Sequence, residues 1–332
     1  MRHGFMARAR RAFWLAIACV AAAWFGAQPV CAQSGADKYP DKPIKIIVPF
    51  APGGSVDVVA RVIGQKMTDV WGQSVIVESR AGASAMIGTA AAAKADPDGY
   101  TLIIVVSTHT TNPAMRAAMP YDTLKDFEPI SLLGRAPIMV YTYPGFPARN
   151  LADLVAIAKE KPGTLNFGSA GTGSMTHLVA EMFKLQAGID MTHVVYRGGS
   201  PAMTDAIAGQ IPMTFGTVVQ ALSQYQSGQL RSLGVTSAAR YKAVPEVPTF
   251  REQGFDLVAS EWYGLLAPAG TPRAIVEKLN GEMRRIMALP ASAERLPALE
   301  LVGSTPEELD QFIRSEMDRW GPLIQKLGLK AE

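Results

Sequence analysis

Three short stretches place glycines and hydroxyl side chains where an apolar run gives way to helical spacing: "IIVPFAPGGSVDVVAR", "LNFGSAGTGSMTHL" and "VVYRGGSPAMTDAI". The first holds Phe50, Ala51, Gly53, Gly54 and Ser55, the second Ser169, Gly171, Thr172, Gly173 and Ser174, and the third Arg197 and Gly198 followed by Gly199 and Ser200. Glycine lets the backbone turn sharply and brings bare N–H groups close to a guest. At a helix start those N–H groups have no intrahelical partner and sit at the positive end of the helix dipole. The chemistry this combination suits is the capture of an anion, a carboxylate or phosphate, rather than bond making. The simpler use of the same residues is structural, with Ser55 or Ser200 capping a helix and Pro201 opening one. Three such turns in one chain favour binding, because strand-to-helix turns of α/β sheets gather at the carboxyl ends of the strands.

The residues fit enzyme motifs poorly. Ser55, Ser169 and Ser200 lack the glycines of a G-x-S-x-G elbow, Thr176 stands where a dinucleotide fingerprint needs its last glycine, and there is no G-x-x-x-x-G-K-S/T loop. His109, His177 and His193 have no His or Cys at metal-ligand spacing. No metal and no cofactor is therefore expected. His177, one turn past the Gly-Ser elbow, is a candidate ligand donor or a packed histidine. Arg197 is a candidate partner for an anion through its planar guanidinium, or a surface ion pair. Asp57 and Arg61 lie four apart on one predicted helix and can satisfy each other. Trp262 and Tyr263 could line a cleft or fill a core.

The elements that must hold these turns repeat as strand, turn and helix, the alternation of an α/β protein. Strands are expected at 44–50, 75–78, 101–106, 138–143, 164–167, 193–196, 213–215 and 230–236. Helices are expected at 56–70, 151–159, 175–186, 201–208, 274–287 and 305–323, with a small-residue helix inside 81–95. The helix 56–70 would bury Val56, Val59, Ala60, Ile63, Met67 and Val70. "RYKAVPEVPTFREQGF" reads as a surface connector, and the C-terminal part as helical with little strand.

The first 32 residues read as a cleaved secretory signal peptide: Arg2, Arg8, Arg10 and Arg11 without an acid, then an apolar run too short to span a bilayer, then Val30-Cys31-Ala32. Both cysteines, Cys19 and Cys31, lie inside it. Removing it takes 4 of 32 basic residues and none of 29 acids, so the net charge moves from +3 to −1. No basic block remains in the mature chain, which argues against nucleic acid as a partner. An exported periplasmic monomer is the expectation.

The motifs together resemble the substrate-binding receptors of tripartite tricarboxylate transporters, the Bug family. The resemblance is carried by "YPDKPIKIIVPFAPGGSVDVVAR", "NPAM", "PYDTLKDFEPISLL", "LNFGSAGTGSMTHLVAEMFK", "VVYRGGSPAMTDAIAGQI", "VPEVPTFREQGF", "WYGLLAPAGTPRAIVEKLN" and "TPEEL". It implies a periplasmic binding protein-like fold of type II: two α/β lobes, 40–137 plus 256–332 and an inserted 138–255, closing on a ligand between them. It further implies that the loop Phe50 to Ser55 and the turn Ser169 to Ser174 hold a carboxylate, partly through water. Ser107, Thr108 and the Arg197-Gly198-Gly199 turn would border the cleft. The implied partners are a small di-, tri- or aromatic carboxylate and the permease subunits in the membrane. One departure stands out: where family members often carry an acid after the Met-x-Phe strand, this chain has Gly216 and Thr217. That weakens an amino acid as ligand and leaves room for a bulkier acid.

Two other functions remain open at this stage. One is a periplasmic hydrolase using Ser169 or Ser174 with His177, for which no orienting acid is evident. The other is a ligand-loaded co-receptor for a signalling system.

Overall fold

Ile44, Ile46, Ile47 and Val48 are buried almost completely, and a run so apolar is stable only with sheet or helix on both sides. They form β1 (Ile44–Val48), which pairs in parallel with β2 (Val75–Ser79) and β3 (Thr101–Val105). The computed structural model describes residues 38–331, so the expected signal peptide lies outside the described residues. Between these strands run α1 (Ser55–Trp71), α2 (Met86–Ala93) and, after β3, α3 (Thr108–Met115). The buried face of α1 includes Val56, Val59, Ala60, Ile63 and Met67 as the spacing predicts, whereas Val70 is exposed. The helix ends at Gly72, whose left-handed φ of 67° lets its N–H donate to the Thr68 carbonyl.

β4 (Phe127–Thr142) is far longer than the strand expected at 138–143. Its start was obscured by Pro129 and Pro137, residues that read as strand breakers; the pairing with β9 (Ser260–Pro268) slips between Pro129 and Ser131, where a proline needs no ladder partner. The second half of β4 leaves β9 and pairs on both edges, with β7 (Met213–Thr217) and β8 (Arg231–Val235). Beyond β7 lie β5 (Asn166–Ser169) and β6 (Thr192–Val195), parallel to each other. The connecting helices are α4 (Leu151–Glu160), α5 (Met175–Ala187), α6 (Gly199–Ile207) and α7 (Val218–Gln226).

The strand order is β2-β1-β3-β9-β4-β7-β5-β6, with β8 and the short β10 (Glu300–Leu301) attached to β4. This is the two-lobed α/β periplasmic binding protein architecture: one set of parallel strands, β1 to β3, and another, β5 to β7, meet through the antiparallel pair β4 and β9. β9 corrects the expectation of little strand in the C-terminal part. "SEWYGLLAP" reads as one apolar run because every residue from Glu261 to Pro268 is buried in the middle of the sheet. Trp262 and Tyr263 are core residues, 1% and 0% exposed.

The C-terminal helices are α8 (Arg273–Ala288), α9 (Pro290–Arg295) and α10 (Pro306–Lys326). The "TPEEL" segment is a capping box in which Thr305 and Glu308 satisfy each other's backbone N–H groups at the start of α10. That helix joins two cores. Its Leu309 and Ile313 pack with Ile47, Ile103 and Trp262, and its Trp320 and Ile324 with Phe167, Phe183 and Phe215. Among the described residues no helix is long and apolar enough to cross a membrane.

Candidate functional site

Helix α1 begins without a side-chain cap. Its N-cap is Gly54, and Ser55 is the first helical residue rather than the cap. Gly53, at φ 78°, turns its N–H onto Asp57 Oδ2 at 3.0 Å, an oxygen that also takes Arg61 Nε at 2.9 Å. The Asp57–Arg61 pair thus satisfies itself, as its spacing suggests, and fixes the elbow as well. Asp57 Oδ1 is buried without a partner. The N–H groups of Gly54, Ser55 and Val56 donate to no acceptor among the described residues. All three residues line a small cavity, with Phe50 beside them.

The second elbow is built the opposite way. Ser174 caps α5 by accepting from the His177 N–H, and donates its own proton to the Gly171 carbonyl at 2.7 Å. Thr176 Oγ1 accepts from Ala170 N, Ser169 Oγ from Gly171 N, and His177 Nδ1 from Gly173 N. Ser107 Oγ accepts from Met175 N. Six of the eight backbone N–H groups from Ala170 to His177 have acceptors, all within the loop except that of Met175; only Ala170 and Thr176 of the loop reach the cavity wall.

The histidines sit behind this loop. His177 is buried and stacks on His193 with 4.1 Å between ring centroids. It faces this packing rather than the cavity. Burial above all, with His193 and Lys184 adding repulsion, pushes its pKa down to about 3. Burial and Lys184 likewise lower His193 to about 4. The partner of Ser169 Oγ is His193 Nε2 at 2.6 Å, not His177; the contact is made across the parallel pair β5 and β6, 24 residues apart, where no local spacing reveals it.

The third turn packs against the first elbow. The Ala51 N–H donates to the Arg197 carbonyl at 3.2 Å. Gly198, at φ 145°, has the Ala51 nitrogen 3.1 Å from where a Cβ would stand. At Gly199 a Cβ would fall 2.1 Å from Gln220 Oε1. The helix starts at Gly199 with Gly198 as N-cap, two residues ahead of the expected Pro201, so Ser200 is not its cap. The Arg197 side chain is exposed and borders an outer recess of about 260 Å3 with Phe50, Ala170, Tyr196 and the loop Gly82 to Ala85. In that loop Ala83, Ser84 and Ala85 all have left-handed φ angles, a strain of about 1 kcal/mol or more for each residue. It is held by Asn112 Nδ2 donating to the Ser84 carbonyl. Strain of this kind gathers where a loop must present itself to a ligand.

The inner cavity measures about 30 Å3, room for ~two water-sized groups. Thr217 and Gln220 close it on one side, and Gly216 is buried against Tyr141. Thr108 is buried in α3 and does not line it. Ser107 stands behind the wall, donating its N–H to Glu261 Oε1 at 2.9 Å. Glu261 itself is the residue sequence reasoning missed. It lines the cavity from β9 although the position after the Met-x-Phe strand carries no acid. Burial raises its pKa to about 7 against the pull of the Ser107 and Trp262 N–H groups. Nearby, the buried Tyr263 hydroxyl has no hydrogen-bond partner among the described residues. Among the described residues no cluster of side chains suits a metal ion.

Residues 59–329 match the family described as tripartite tricarboxylate transporter family receptor. The chain belongs to that family. It is similar to a protein of Pseudomonas sp. (strain P51) from the tcbD-tcbE intergenic region, 38% identical with 89% of each chain covered. Protein BugT of Bordetella pertussis is 36% identical over 91% of this chain and 94% of its own. Among solved structures, the periplasmic binding protein BugD superposes with a TM-score of 0.85 at 30% identity, covering 89% of this chain and 100% of its own. A Rhodopseudomonas palustris protein solved with adipate gives 0.85 at 30%, over 88% and 99%. Another from that organism, with bound malate, gives 0.82 at 30%, over 86% and 100%. This receptor is thus a solute-binding protein rather than an enzyme, and its family places it in the periplasm. The hydrolase reading falls with that membership.

Proposed function

We propose that this receptor captures a small organic acid and hands it to the membrane subunits of a tripartite transporter. The observation that carries the reading is the uncapped start of α1: Gly54, Ser55 and Val56, whose N–H groups have no acceptor among the described residues, line a cavity of carboxylate size. Bare donors at a helix start hold an anion well. Enclosure strengthens each charge-assisted hydrogen bond relative to water. The acids bound by two structural neighbours, adipate and malate, support the same ligand class.

One carboxylate would occupy the inner cavity against Gly54, Ser55, Thr176 and Thr217. The rest of the ligand would extend into the outer recess, which shares Phe50 and Ala170 with the cavity. Arg197 at the recess would meet a second carboxylate or an aromatic edge. The lobes 40–137 plus 256–332 and 138–255 would part to admit it, breaking the Ala51–Arg197 and Ser107–Met175 hydrogen bonds that now bridge them. The receptor would work as a monomer. Thermal unfolding with mono-, di- and aromatic carboxylates tests the reading, since ligand that binds only the native state raises its stability. At least one acid is expected to raise the melting temperature. Stabilisation by uncharged sugars and by no acid would overturn it.

A further inference from the structure

We propose that Glu261 determines specificity by sharing a proton with the bound carboxyl, so that this receptor takes up one hydrogen ion from solvent as it closes on its ligand. The inference rests on the organic-acid reading above. It starts from what encloses the cavity. No residue of its lining, which includes Ser55, Thr176, Thr217, Gln220 and Glu261, carries a positive charge. Glu261 is the single titratable side chain among them. It is 6% exposed, and both of its hydrogen bonds, from Ser107 N and Trp262 N, fall on Oε1.

The groups packed around Glu261 do not supply the missing cation. On α10, Glu316 adds a negative charge nearby and is occupied by Trp320 Nε1 at 2.8 Å and Arg319 at 3.7 Å. On β9, the Tyr263 hydroxyl is held neutral by burial, with Glu261 adding to the effect. On α1, Arg61 is committed to Asp57. The starts of α1 and α3 offer only the partial positive charge of a helix terminus, roughly half a unit each. A ligand carboxylate and an ionised Glu261 enclosed together would leave two like charges in one dry space, an arrangement in which one of the pair binds a proton. The upward pKa shift of Glu261, to about 7, agrees with its being the group that does so.

The consequence is selective. A neutral carboxyl donates to a ligand carboxylate and accepts poorly from a ligand ammonium, so acids are preferred over amino acids although an acidic residue lines the site. Titration calorimetry of the full-length mature protein tests it with adipate, malate and benzoate as probes. In two buffers of different ionisation enthalpy at about pH 8, the acid that binds is expected to draw about one proton from the buffer. Its affinity should fall roughly tenfold per pH unit above neutrality. In Glu261→Gln, whose amide donates at every pH, uptake should vanish and affinity should no longer depend on pH. A wild-type signal independent of buffer, or proton release on binding, overturns the proposal while leaving the organic-acid reading intact. The wild-type measurement does so without relying on the variant's folding. If none of the three acids binds even at about pH 5.5, the organic-acid reading itself has failed.

Discussion

The two elbows that face one another share a sequence plan and have opposite physical uses. At Gly54 to Val56 the turn leaves its N–H groups without an acceptor among the described residues, whereas from Ala170 to His177 hydroxyls, a carbonyl and an imidazole take six of the eight. The first leaves donors free for the acid proposed above, and the second is a wall whose donors are mostly satisfied within the protein. A glycine- and serine-rich turn is therefore not by itself a binding site. What matters is whether the hydroxyls that accompany the glycines have consumed the donors the turn exposes.

Changes in the first elbow should alter binding, and changes in the second should alter stability. The largest effect is expected from Ser55→Asp, which puts a negative charge among the free donors. Like-charge juxtaposition costs several kcal/mol, so affinity for any acid should drop by about a thousandfold in calorimetry. Normal binding by this variant would remove the first elbow from the site.

The pH dependence of unfolding should separate the two regions next. His177, behind the second elbow, has a folded pKa of about 3, below its ordinary 6.5, so the unfolded chain binds protons that the folded chain refuses. Stability contributed there is present above about 6.5 and lost as acid is added toward 3, on the order of 5 kcal/mol in total. Glu261, beside the first elbow, has the reverse shift, from 4.5 up to about 7. Its folded form holds a proton the unfolded chain releases, so stability falls as pH rises through that window, also on the order of 3 kcal/mol. Denaturant titrations should show the neutral-side loss abolished in Glu261→Gln with the acid-side loss retained.

Two glycine substitutions sharpen the contrast on a smaller scale. In the second elbow, Gly173 has φ 82° and Met115 Sδ 2.5 Å from an added Cβ. Gly173→Ala should cost about 2 kcal/mol through strain and overpacking together. In the first elbow, Gly53 has φ 78° but an added Cβ meets only the Ser200 side chain, with Oγ at 3.2 Å. Gly53→Ala should cost about 1 kcal/mol, close to the left-handed penalty alone. Equal losses in urea unfolding would mean that the second elbow is no more tightly built than the first.

Much of this was legible from local pattern. Most of the buried face of α1, the elbow positions and the Asp57–Arg61 pair follow from spacing within one or two turns of chain, although the helix takes in Ser55, the residue expected to cap it. Misreadings occurred where distant segments meet. β9 shows no alternation to mark it as a strand, because its residues from Glu261 to Pro268 are all buried. The start of β4 was hidden by prolines that a bulge accommodates. His193 carries no local signal of its contact with Ser169, because only the pairing of β5 with β6 brings the two together.

The order of residues thus determined which turns are sharp, which helices begin at them and, through their combined motifs, the receptor family. Tertiary structure alone decided which turn keeps its donors free and that Glu261, 154 residues beyond Ser107, shares the cavity with them. The reason is physical: backbone torsion and helical periodicity are settled among near neighbours, whereas charge, burial and proton affinity depend on whatever the folded sheet brings within a few ångströms.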